Sequence, residues 1–96
     1  IPEEKNSEYN VYHTFVVQVD QRDKLKSYLA SKGVGTAIHY PMPIHLQKAA
    51  KFLKYKRNDF PNCETQANRI ITLPINQYLT NKEIIHISNL VNNFYK

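Results

Sequence analysis

The chain is predicted to fold as α+β, a two-layer sandwich in which a small three-stranded sheet carries helices on one face. Three observations predict this. Two stretches alternate with period two and a third is a short β-branched run, as strands require. Apolar stripes at helical spacing separate them. The 96 residues suffice for one modest core and no more. The expected order is β-α-β-α-α-β-α.

Residues 1–8 are polar and read as a lead-in, leaving residues 9–96 as the domain. From Tyr9 to Val19 the chain alternates, with Val11, His13, Phe15, Val17 and Val19 on one face. His13 falls on the more apolar face, where a buried histidine and a functional one are both admissible. Asp20 is placed to cap a helix carrying Leu25, Tyr28 and Leu29, and Gly33 suits its stop. Val34 to Tyr40 is expected to be the second strand, with His39 and Tyr40 on opposite faces. Leu46, Ala49, Ala50 and Leu53 mark a short helix, and residues 55–59 a polar loop. A further helix opens at Phe60-Pro61-Asn62, with Cys63, Ala67 and Ile70 along its apolar side. Ile70 to Ile75 is the third strand, with Pro74 at its end or on an edge. Thr80-Asn81-Lys82-Glu83 is a capping box, followed by a stripe of Ile84, Ile87, Leu90, Val91 and Phe94.

The formal net charge of +5 is compatible with an anionic partner but selects none. The densest basic stretch is Lys48, Lys51, Lys54, Lys56 and Arg57, which equally fits a solvated helix face. No apolar run reaches the ~18 residues of a membrane span. Cys63 is the only cysteine, which excludes an internal disulfide and suggests a reducing compartment. The chain opens Ile1-Pro2-Glu3 without an initiator methionine, so it is expected to be a processed product or a piece of something longer.

No zinc-finger or metalloprotease spacing joins the four histidines and the cysteine, so no metal site is expected. Two glycines cannot build a phosphate loop. Placing Cys63 on an apolar helix face argues against a nucleophile. No strand carries the aromatic pattern of a single-stranded RNA platform, so nucleic acid is not the expected partner.

The chemistry concentrates in Ile38-His39-Tyr40-Pro41-Met42-Pro43-Ile44-His45. Each proline fixes its own φ and biases the residue before it toward extended geometry. A stiff segment of this kind can hold His39, Tyr40 and His45 in place for a ligand, or it can be a rigid connector whose histidines satisfy local hydrogen bonds.

Around that segment lie Tyr12-His13, Arg22-x-x-Leu25, Leu29 and Gly33-Val34-Gly35-Thr36. After it come Pro61-x-x-Glu64, Ala67, Leu73-Pro74-Ile75 and Leu79-Thr80-x-x-Glu83-Ile84. In this order and spacing, from about Tyr9 to Phe94, the chain resembles the C-terminal small domain of the DegT/DnrJ/EryC1/StrS aminotransferases. That resemblance implies the small domain of an aspartate-aminotransferase-type fold, within a pyridoxal-phosphate enzyme that aminates nucleotide-linked keto sugars. It implies a large N-terminal domain of the same protein that holds the cofactor, a homodimer, and a cytoplasmic place in amino-sugar and polysaccharide biosynthesis. It places the Schiff-base lysine in a Ser-x-His-x-x-Lys setting that this chain lacks, so no catalytic residue is expected here and the 96 residues alone are expected to be inactive. His39 and Tyr40 would line the sugar-nucleotide pocket, with His45 and His13 flanking or bracing it. One departure is Ile75-Asn76-Gln77-Tyr78, where the family often has an aromatic residue or histidine beside a proline. The alternative reading is a freestanding α+β ligand-binding or regulatory module.

Overall fold

A computed structural model describes residues 4–96. Its elements are β1 (Phe15–Gln18), α1 (Arg22–Ser31), α2 (Pro61–Arg69), β2 (Ile70–Leu73) and α3 (Asn81–Phe94). Two 3₁₀ turns, Ile44–Leu46 and Lys48–Leu53, follow one another between α1 and α2. The lead-in expected over residues 1–8 is described only from Glu4 onward.

The sheet has two strands. β1 and β2 run antiparallel, with Phe15 opposite Leu73 and Val17 opposite Ile71, and the Val19 N–H donates to the Arg69 carbonyl at 3.0 Å to extend the pairing by one bond. The third strand expected over Val34–Tyr40 is absent. Only Ala37 bridges Thr72, through bonds of 3.1 and 2.8 Å. The cause lies in the partner strand. Continuing that antiparallel register by two places sets Gly35 opposite Pro74, which has no N–H to give. In the other direction the chain bends at His39 and enters the prolines.

β1 is likewise shorter than the stretch Tyr9–Val19 that alternates. β2 offers only four residues to pair with, so Val11 and His13 lie outside the ladder and are exposed. The buried place offered to His13 by its alternation is therefore not taken up.

Leu25, Leu29, Val34, Ile71 and Leu90 form the core, with Val17, Val19, Tyr28, Leu73, Ile87, Val91 and Phe94 packed against it. The alternation of β1 is what puts Val17 there, and α1 and α3 cover this face. The Tyr28 and Phe94 rings meet at 5.5 Å. α2 does not join them. Val16 and Ile70, on the opposite face of the ladder, share a concavity with Cys63, Gln66 and Ala67 of α2. The helices are thus divided between the two faces rather than gathered on one, because the short sheet leaves its second face open to cover.

The helix ends depart from expectation in one place. Asp20 does not cap α1. The N-cap is Gln21 at φ 53°, with no side-chain bond, and the Asp20 carboxylate instead meets Arg69 Nη2 at 3.0 Å. Gly33 stops α1 as expected, at φ +80°, where a side chain is disfavoured. The Thr80–Glu83 capping box forms in full: the Glu83 N–H donates to Thr80 Oγ1 at 3.3 Å, and the Thr80 N–H donates to Glu83 Oε2 at 2.8 Å. The expected helix around Leu46–Leu53 is realised as 3₁₀ turns.

Candidate functional site

The segment Tyr40–Pro43 is pegged at both ends by histidines. On the upstream side, His39 Nδ1 is hydrogen-bonded to Thr72 Oγ1 at 2.9 Å. Thr72 is buried in β2, and its own backbone holds Ala37, so this peg rests on the sheet. On the downstream side, His45 Nε2 lies 3.1 Å from Glu64 Oε1 of α2. An ionised carboxylate only accepts, so the imidazole donates. Both side chains are almost wholly covered, at 8% and 11% exposure. The His45 ring packs on Phe60 at 4.8 Å, and Phe60 in turn on Tyr55 at 5.0 Å.

Between the pegs the chain is braced locally. The Leu46 N–H donates to the Pro43 carbonyl at 3.0 Å, and Gln47 Nε2 reaches the Met42 carbonyl at 3.4 Å. The stiffness expected from the prolines is therefore supplemented by hydrogen bonds.

Tyr40 is what this frame displays. It is 73% exposed, and its ring meets that of His39 edge-on at 5.4 Å across a cis His39–Tyr40 peptide. The two rings are therefore neighbours, not on opposite faces as strand alternation predicts; the segment is not a strand there, so period-two geometry does not apply. Both line a shallow concavity of about 260 Å³ with Val16, Met42, Pro43 and Ile70. A second concavity, about 330 Å³, lies along the same Pro41–Pro43 ridge and is lined also by Leu46, Arg57, Glu64 and Asn68. His13 lines neither and stands exposed ahead of β1.

Glu64 is the residue that sequence reasoning passed over as a site member. Its Oε1 accepts from the Asn58 N–H at 2.7 Å as well as from His45. Burial pushes the carboxyl up, but the Asn58 N–H and the His45 ring, with the backbone at Phe60, outweigh it and hold the group below its ordinary value of about 4.5. The signal was available as Pro61-x-x-Glu64, which places a carboxylate in the first turn of a helix. What could not be read was that this carboxylate turns toward His45. Cys63, expected on the buried side of α2, is exposed, whereas Ala67 one turn on is buried.

Among the described residues no group of three or more His, Cys, Asp or Glu could hold a metal ion, and no helix is long and apolar enough to cross a membrane.

The sequence model of the DegT/DnrJ/EryC1/StrS aminotransferase family matches residues 1–92. The chain belongs to this family. It is 32% identical over 94 residues to the dTDP-3-amino-3,6-dideoxy-alpha-D-galactopyranose transaminase of Aneurinibacillus thermoaerophilus, covering 98% of this chain and 25% of that protein. It is 30% identical over 95 residues to a pleiotropic regulatory protein of Geobacillus stearothermophilus, covering 99% and 26%. The crystal structure of S. venezuelae DesV in complex with a ketimine intermediate superimposes with a TM-score of 0.83 at 31% identity, over 88% of this chain and 23% of that one. The chain thus spans about a quarter of the length of the relatives it matches. The aminotransferase type of fold is shared, and sugar aminotransferases are among the family's members.

Proposed function

We propose that these residues are the small C-terminal domain of a pyridoxal-phosphate-dependent aminotransferase that converts a nucleotide-linked keto sugar to an amino sugar. The observation that carries this reading is the family match across residues 1–92, which runs through the His39–His45 segment. In this reading the domain caps the active site. Tyr40 and His39 face the sugar nucleotide, and His45 braces the segment that presents them; His13, exposed and outside both concavities, would have at most a bracing part. A tyrosine hydroxyl and an imidazole can each donate to or accept from sugar hydroxyls and phosphates. The net charge of +5 favours a diphosphate-linked ligand.

The cofactor supplies the electron sink of transamination and needs an amine for covalent attachment. No lysine lines the two concavities at the proline ridge, nor the apolar groove between β2 and α3. These linings do not by themselves fit the cofactor, so in this reading the large domain would hold it and this domain would contribute binding and positioning. The shape supports incompleteness: the radius of gyration is 16.0 Å, against about 12–13 Å for a compact chain of this length. The parent enzyme would act as a homodimer in the cytoplasm.

The test is a visible absorption spectrum of the full-length protein before and after borohydride. A cofactor band that reduction removes, leaving the pyridoxyl group fixed to a lysine outside these 96 residues, is the expected result. No band, and no turnover of a dTDP-linked 3-keto-6-deoxyhexose with an amino donor, would end the reading.

A further inference from the structure

Glu64 receives two donors from two different segments. His45 belongs to the turn that ends the proline ridge, and Asn58 belongs to the loop leading into α2. Asn58 sits at φ 77°, in the left-handed region that asparagine adopts more readily than other non-glycine residues, and the turn there aims its N–H at Glu64. A second carboxylate in the same loop tightens it, since the Lys56 N–H donates to Asp59 Oδ2 at 2.8 Å. Arg57 lies between these two fixed amides and lines the concavity that Glu64 shares with Pro41, Met42 and Pro43. One nearly buried carboxylate therefore joins the segment that displays Tyr40 to the loop that carries Arg57.

We propose that Glu64 is a positioning residue for substrate binding, a latch that sets the Tyr40 segment and the Arg57 loop in one mutual geometry on either flank of the proline ridge. This rests on the aminotransferase reading above. Glu64 touches no substrate in this scheme. It acts through His45 and the Asn58 amide, so its removal weakens recognition of the sugar nucleotide more than that of the amino donor.

The test compares full-length wild-type enzyme with Glu64→Ala, Glu64→Gln, His45→Ala and the double variant Glu64→Ala/His45→Ala. Steady-state kinetics with a dTDP-linked 3-keto-6-deoxyhexose and hydrogen exchange of residues 42–47 and 55–60 are read on the same samples. Glu64→Ala is expected to raise KM for the sugar nucleotide about tenfold, the worth of one lost charge-assisted hydrogen bond, with KM for the amino donor and kcat within about twofold. Exchange should quicken about tenfold in both segments together. The double variant should add little to Glu64→Ala, as members of one unit do, and Glu64→Gln, whose amide oxygen can still accept, should recover part of the loss. Quickened exchange with an unchanged KM would overturn the positioning role, and quickening in one segment alone would overturn the latch. A wild-type enzyme that turns over no keto sugar would instead overturn the aminotransferase reading, and the two exchange rates would still decide whether Glu64 holds both segments.

Discussion

Two side chains carry the residue-scale argument, Tyr40 and Glu64. Tyr40 is displayed between two pegged histidines, and its hydroxyl is the group available to a sugar or phosphate. Tyr40→Phe in the full-length enzyme is expected to raise KM for the nucleotide sugar about five- to tenfold, the net worth of one hydrogen bond, with the pyridoxal absorption band unchanged. Loss of the band together with the KM effect would show that Tyr40 serves the cofactor instead. Glu64 has its carboxyl held below the ordinary value in the folded chain, because the bonds from Asn58 and His45 outweigh burial. A depressed carboxyl stabilises the fold above its unfolded value of about 4.5, and that contribution disappears as pH falls through the lower folded value. Denaturant unfolding followed from pH 6 to pH 3 should show stability declining below about pH 4.5, and Glu64→Gln should flatten that decline. Glu83, lowered by its bonds to Thr80, leaves a residual slope of the same sign. The histidine–tyrosine–proline pattern was legible in the sequence because it is contiguous. The partners of its histidines, Thr72 and Glu64, were not, since they are 33 and 19 residues away and only the fold brings them near.

At the scale of elements, agreement follows local chemistry. The α3 cap is complete in four consecutive residues and forms as read. Thr80→Ala is expected to destabilise the protein by about 1 kcal/mol in urea unfolding, because it leaves the Glu83 amide without its acceptor. An unchanged midpoint would mean that this helix end is held by packing alone. α1 shows the converse. Asp20 is a suitable cap by residue type, yet Arg69 takes its carboxylate, and Tyr95 Oη donates to its carbonyl. The third strand failed for a similar reason. Val34–Tyr40 alternates acceptably, but a strand is a property of a pair, and Pro74 removes the donor that the next rung needs.

For the whole molecule the question is how much apolar surface this chain leaves uncovered. Among the described residues seven hydrophobic side chains are buried, while Tyr9, Val11, Ile44, Phe52, Tyr78 and Ile85 are all more than half exposed. An apolar groove of about 400 Å³ opens between Phe15, Leu73 and Pro74 on the strands and Ile84, Ile87 and Val91 on α3. The 96 residues produced alone are expected to bind a hydrophobic dye and to elute as an associated species, and Ile84→Lys should reduce the dye signal. A dye-silent monomer would show that the groove closes on itself. By itself the sequence determined the α+β class, the apolar stripes of α1 and α3, the α3 cap, the Gly33 stop and the family, because each is written in neighbouring residues or in their order. Only the tertiary structure decided that the sheet has two strands, that α2 takes the face opposite α1 and α3, and that Glu64 joins two loops. Those outcomes depend on which distant donors and acceptors meet, and local sequence does not specify the meeting.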